Sequence, residues 1–185
     1  MEMAKRAVKP EDLVTYCGAY CATCARWRDH AAFRDCARAL GEIADGHGFH
    51  RWMPRAVKEF DYAEFRKGLE FFSRDDAWLV CQQPCKFNGA MAACRFRVCC
   101  ERRGISLCFE CSEFPCAHNK PNRPMLERAK EYRRLGKEEW LRQLAEKARQ
   151  GFEHHTKKCY RISAAGFRPS RREPHRRQSK APAAD

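Results

Sequence analysis

Tyr16-Cys17-Gly18-Ala19-Tyr20-Cys21-Ala22-Thr23-Cys24 and Cys108-Phe109-Glu110-Cys111-Ser112-Glu113-Phe114-Pro115-Cys116 are the stretches on which the reading of this chain turns. Each holds a C-x-x-C pair with one more cysteine close by, Cys17 before the first pair and Cys116 after the second. A two-residue gap lets a tight turn aim both sulfurs at one soft cation, as zinc and iron–sulfur sites require. Between the two stretches lie Cys81, Cys85, Cys94, Cys99 and Cys100, and the whole chain carries 13 cysteines in 185 residues.

Met1 to Pro10 include Glu2, Lys5, Arg6 and Lys9 and no apolar run that could serve a secretory signal, so a cytoplasmic location is expected. Thiols in a reducing compartment do not persist as disulfides, and an odd count would leave one over. The clustered cysteines therefore read as metal ligands. The candidate set is Cys17, Cys21, Cys24, Cys81, Cys85, Cys94, Cys99, Cys108, Cys111 and Cys116. The isolated Cys36 and Cys159 read instead as buried small hydrophobes.

These ligands suit two four-thiol sites with two thiols over, or a shared cluster, and spacing alone does not pair them. Positions five apart on a helix lie about 140° apart around its axis. Cys94 therefore either opens a helix or serves a different role from Cys99. The adjacent Cys99 and Cys100 point in different directions, so at most one of them serves any given site. Zinc is the expected metal and an iron–sulfur cluster the alternative, because thiolate sets hold either. Metal would then act as a long-range staple that contributes to folding.

Cys17-x-x-x-Cys21-x-x-Cys24 has the spacing of the [4Fe–4S] motif in radical S-adenosylmethionine enzymes. Those enzymes follow it with a barrel, and a full barrel of about 200 residues or more does not fit after Cys24. The seven histidines form no pattern that nominates a Cys–His catalytic pair, and His118 reads as a surface residue.

The periodicity predicts a mostly α fold with irregular, metal-stapled loops. Ala25 to Ala44 reads as an amphipathic helix through Trp27, Phe33, Leu40 and Ile43, and Gly46, Gly48 and Pro54 read as an irregular connection. Asp61 is an N-cap for a helix to Ser73 whose aromatics Tyr62, Phe65 and Phe72 read as core. Gly89 to Arg103 is expected to be helical and stopped by Gly104; Pro124 to Leu135 and Lys137 to Arg149 are expected as two further helices parted by Gly136. Ile105 to Phe109 is the one short run suited to a strand. No stretch approaches a membrane span. Residues 11–120 thus form a cysteine-rich metal-binding domain, 121–152 a helical extension and 160–185 a basic, disordered tail.

The formal charge of +13 invites a nucleic-acid reading. Each zinc held by four thiolates lowers that charge by two. From Lys157 onward, Lys157, Lys158, Arg161, Arg168, Arg171, Arg172, Arg176, Arg177 and Lys180 face only Glu173 and Asp185, so much of the basicity sits in the tail. Weak polyanion or nucleic-acid contact through that tail is one expectation, and an unknown protein partner is another.

Taken together, Tyr16 to Cys24, Cys81 with Cys85, Cys94-Arg95-Phe96-Arg97-Val98-Cys99, and Cys108 to Cys116 resemble the bacterial and archaeal cysteine-rich family called domain of unknown function 3795. The resemblance spans roughly Val14 to His118. It implies a small cytosolic domain that binds metal through these cysteines, without a settled activity. The chain departs from the pattern at Cys100, at Gln82 to Pro84 and at Ala22. With no general acid, base or phosphate loop beside the thiols, a non-enzymatic binding or regulatory module is expected; a thiol redox or iron–sulfur protein and a nucleic-acid-associated zinc protein are the alternatives.

Overall fold

The computed structural model describes residues 8–87, 89, 94–120 and 122–160. Among these residues are six α-helices: α1 (Ala32–Gly46), α2 (Phe49–Ala56), α3 (Tyr62–Ser73), α4 (Arg95–Arg102), α5 (Arg123–Leu135) and α6 (Lys137–Arg149). One antiparallel pair, β1 (Phe152–Glu153) and β2 (Lys158–Cys159), follows α6 with Phe152 opposite Cys159. The fold is mostly α, as the periodicity predicts. No helix among the described residues is long and apolar enough to cross a membrane.

The helices with strong end signals form where expected. Asp61 Oδ1 accepts hydrogen bonds from the backbone N–H groups of Ala63 (2.7 Å) and Glu64 (3.0 Å), which pins the start of α3. Removing that acceptor in Asp61→Ala is expected to cost about 1 kcal/mol; equilibrium denaturation measures it, and an unchanged midpoint would contradict it. Asn122 caps α5 by accepting from Met125 N–H at 3.1 Å, and Gly136, at φ +77°, separates α5 from α6.

Four expectations need correction. Residues 25–31 do not join α1, because their backbone is already spent: Cys81 N–H donates to Arg26 O at 2.7 Å, and Trp27 bridges Cys81 in parallel. The stretch around Pro54 is helical, not irregular. Pro54 leaves the carbonyl of His50 without its intrahelical donor, and His50 is exposed to solvent, which can replace it. The third expected helix starts at Arg95 rather than Gly89, since Cys94 is extended (ψ 112°); residues 90–93 lie outside the described residues. Leu107 is extended, but Cys108–Glu110 closes into a 3-10 turn instead of a strand.

The apolar stripes of α1 and α3 are also turned. Helices α1, α2 and α3 pack on one another. In α1 the buried line is Ala32, Arg34, Ala37, Gly41 and Ala44, while Phe33, Leu40 and Ile43 face outward. In α3 only Tyr62 is buried, and Phe65 and Phe72 are exposed. Small residues let the helices approach closely, and the large apolar side chains stay outside, where Phe33 and Phe72 meet edge to face at 5.1 Å. Arg34 crosses to the segment after α3, its Nε donating to Asp75 at 2.7 Å.

The main core lies elsewhere. It gathers Val14, Tyr20, Cys100, Leu107, Cys108 and Phe109 from the cysteine-bearing loops with Met125 and Ala129 of α5 and Trp140 and Leu144 of α6. The helices beyond residue 121 thus complete the core against which the thiols are held. The basic tail from Arg161 lies outside the described residues.

Candidate metal centre

Three long-range backbone contacts assemble the cysteine loops. The Trp27–Cys81 bridge sets Cys81 beside the first C-x-x-C turn, and Arg28 N–H returns a bond to Cys81 O at 3.3 Å. Cys108 N–H donates to Tyr16 O at 2.9 Å, which joins the second turn to the first. His154 N–H donates to Thr23 O at 2.9 Å, which brings in β1.

The first contact gathers Cys21, Cys24, Cys81 and Cys85, with Cys21 and Cys81 buried around Trp27. The Cys85 N–H points at Cys21 Sγ at 3.4 Å, and the Cys85 thiol hydrogen-bonds to the Cys21 sulfur. That hydrogen bond holds the Cys85 thiol above its ordinary range and lowers Cys21. Burial pushes the Cys24 and Cys81 thiols up. Arg97, itself buried, donates to Cys85 O at 3.2 Å and so fixes that turn from α4. Cys17 and Cys94 line the same cavity of ≈ 550 Å³, together with His154 and His155. Cys17 Sγ lies 3.1 Å from Thr15 Oγ1, and Cys94 is the N-cap of α4, the helix-start position its spacing allowed.

A second thiol group forms where α4 meets the 3-10 turn Cys108–Glu110. Cys100 is fully buried (0%) and hydrogen-bonded to Cys108, with Cys99 and Cys111 within electrostatic reach. Cys116 acts on Cys108 in the same way. Asn119 Nδ2 donates to Cys108 Sγ at 3.5 Å, and Arg103 reaches Cys111 Sγ at 3.5 Å while pairing with Glu113 at 2.8 Å. Burial, before any neighbouring charge, pushes the Cys100 thiol up to about 12. This residue is absent from the sequence-derived ligand set, yet it sits deeper than Cys99, because one helical step turns it from the half-buried face to the core.

A thiol raised from 9.0 to about 12 is neutral in the metal-free fold. Between those values the unfolded chain releases its proton first, so stability present below the lower value is lost as pH rises. The residual fold that survives loss of the metal is therefore expected to weaken further above about pH 9. Metal-loaded protein should show the reverse, losing stability in acid as protons displace the ion. Denaturation midpoints of the metal-loaded form and the residual helical circular dichroism of the metal-free form, each followed across pH, check the two signs; parallel profiles would contradict them.

Cys36 and Cys159 are exposed, not buried, so their reading as packed hydrophobes fails: each lies on the outer side of its element. His118 is exposed, as expected. Sequence reasoning missed Glu153, His154 and His155, whose ligand atoms and that of Cys24 all lie within 4.8 Å of one another. Their only sequence signal is a carboxylate followed directly by paired histidines after the turn at Gly151.

The thiol groups fit a soft cation on their own chemistry. Cys21, Cys81, Cys100 and Cys108 are buried, where unpaired negative charge is disfavoured, and half-buried thiols of the same groups stand beside them. No curated protein and no solved structure matches the chain. The profile of a family described as a protein of unknown function (DUF3795) matches residues 13–121, which spans both thiol groups and helices α1 to α4. This chain belongs to the DUF3795 family.

Proposed function

We propose that this protein is a metal-dependent, non-enzymatic binding module in which zinc, held by the two thiol groups, fixes the loops that present its surface. The observation that carries this reading is the convergence of cysteines from distant segments, Cys21 and Cys24 with Cys81 and Cys85, and Cys99 and Cys100 with Cys108, Cys111 and Cys116. A bound divalent cation supplies the positive charge that lets such buried sulfurs ionise together. Thr15, Asn119 and the Cys85 N–H then act as outer donors that orient individual sulfurs.

The test is metal stoichiometry in paired variants. Cys81→Ser with Cys85→Ser should lose the metal of the first group and keep that of the second; Cys108→Ser with Cys111→Ser should do the converse. Unchanged metal content in both would overturn the reading.

A second reading has one observation in its favour. Six thiols, Cys17, Cys21, Cys24, Cys81, Cys85 and Cys94, border one ≈ 550 Å³ cavity, more sulfur and more room than one tetrahedral ion uses. An iron–sulfur cluster there would make this a redox protein, and visible absorption with acid-labile sulfide distinguishes it.

A further inference from the structure

We propose a mixed-donor metal site formed by Cys24, Glu153, His154 and His155, in which a borderline divalent cation of the zinc type clips the β1–β2 hairpin onto the first cysteine turn. It goes beyond the thiol groups: three of its donors are not cysteines and lie outside the stretch that matches the family, residues 13–121. It shares only Cys24 with them, whose thiolate would bridge the two ions.

The ligand atoms are already gathered. All four lie within 4.8 Å of one another. Ligands about 2.0–2.3 Å from a tetrahedral zinc stand about 3.3–3.8 Å apart, so only a small contraction separates this arrangement from a coordination shell. Thiolate, imidazole and carboxylate are the three protein donors zinc accepts, and a four-donor set of them closes the shell.

Two of the donors are fixed by their second atoms. Glu153 is 4% exposed, and its Oε2 accepts from the N–H groups of His155 at 2.9 Å and Thr156 at 2.7 Å. Its other oxygen, Oε1, is buried and makes no hydrogen bond of ordinary geometry among the described residues, although the backbone N–H of Ala25 is near enough to the carboxylate to favour its charged form. A buried carboxylate oxygen without a partner is costly, and a cation beside it removes that cost. His154 Nδ1 lies 3.0 Å from Thr23 O, so it carries the proton and donates to that carbonyl. The lone pair then sits on Nε2. A histidine that donates one ring nitrogen to a backbone carbonyl is oriented for ligation through the other.

The backbone supports the same join. His154 binds Thr23 O through both its ring and its backbone N–H, the latter at 2.9 Å, and Thr23 directly precedes Cys24. The two imidazoles lie beside one another, 4.0 Å apart between ring centroids, so both rings border the same space. β1 also packs on α6, so the clip would lock the C-terminal end of the helical layer to the first cysteine turn.

The experiment uses full-length protein loaded with zinc alone under reducing conditions. X-ray absorption at the zinc edge of the unaltered chain should reveal nitrogen or oxygen neighbours alongside sulfur; a shell of sulfur alone overturns the site while leaving the thiol groups intact. Cobalt titration of His154→Ala with His155→Ala should then show one equivalent fewer than the unaltered chain, and Glu153→Gln should weaken that same equivalent. Equal stoichiometry in the double histidine variant overturns the proposal. Unchanged metal content in both paired cysteine variants, with nitrogen neighbours retained, would show that this site stands while the thiol reading fails. Should the double variant not fold, the absorption measurement on the unaltered chain decides alone.

Discussion

Stripping the metal with a strong chelator under reducing conditions is expected to abolish most of the helical circular dichroism of this protein. Among the described residues, four segments meet at the cysteine loops: the first turn at Cys21, the segment at Cys81, helix α4 with Cys99 and Cys100, and the turn at Cys108. The backbone bonds that join them are few, chiefly Cys81 N–H to Arg26 O and Cys108 N–H to Tyr16 O. Structural zinc contributes about 10–16 kcal/mol of apparent binding free energy, which matches or exceeds the roughly 5–15 kcal/mol by which an ordinary domain is stable. Losing it leaves buried thiols beside one another with little to offset their desolvation. Helix α5 and helix α6 depend on the same assembly, since Met125 and Trp140 pack against Cys100, Cys108 and Phe109. The signal should therefore fall across the whole chain, and zinc added back should restore it. Unchanged ellipticity and an unchanged thermal midpoint after complete chelation would contradict the staple.

Gly18→Ala is the single substitution expected to do most damage outside the ligands. Gly18 sits between Cys17 and the first C-x-x-C turn at φ +76°, a conformation that costs an L-residue roughly 1–2 kcal/mol. An added Cβ would also stand 2.1 Å from Cζ and 2.5 Å from Cε2 of Phe109. That ring cannot retreat. Phe114, Tyr132 and Trp140 surround it at centroid distances of 5.7, 5.8 and 6.1 Å. Overpacking of a filled core adds about 1–3 kcal/mol, so the total is about 2–5 kcal/mol. Gly46, the last residue of α1, offers the matching control: a Cβ there meets nothing within 4 Å and needs no unusual backbone. Gly46→Ala should leave the denaturation midpoint level or slightly raised, whereas Gly18→Ala lowers it strongly. Equal midpoints for the two would show that Phe109 does not pack where its contacts place it.

The parts of this fold that the sequence announces are those governed by neighbours along the chain. Asp61, Pro124 and Gly136 mark helix ends by local hydrogen bonding or backbone freedom, and the starts of α3, α5 and α6 and the end of α5 fall within a residue of those signals. Residues 25–31 carry an apolar spacing that suits a helix, but a bond to Cys81 outweighs it, and nothing within that window reveals a partner so far away. The outward turn of Phe33, Leu40 and Ile43 has the same origin: a periodic stripe fixes which side chains share a face, not which face is covered. Strands of two residues are too short to show alternation at all.

The candidate site divides along the same line. Spacing nominates Cys21 with Cys24 and Cys108 with Cys111, because a turn acts over two residues. It does not say that Cys81 and Cys85 join the first pair, since the Trp27–Cys81 bridge decides that. Cys100 was set apart as a departure from the family pattern, and only the packing of α4 identifies it as the thiol facing Cys108. Glu153 and His154 become legible once Thr23 is seen to hold the ring of His154 beside Cys24.

Elemental analysis of protein purified without oxygen, with a visible spectrum of the same sample, tests the central claim most directly. The account predicts about two zinc ions per chain in the thiol groups, a further equivalent if the mixed-donor site is filled, and no visible colour. A chain that folds and carries no metal would contradict it, and iron with acid-labile sulfide would replace the zinc module with a redox protein.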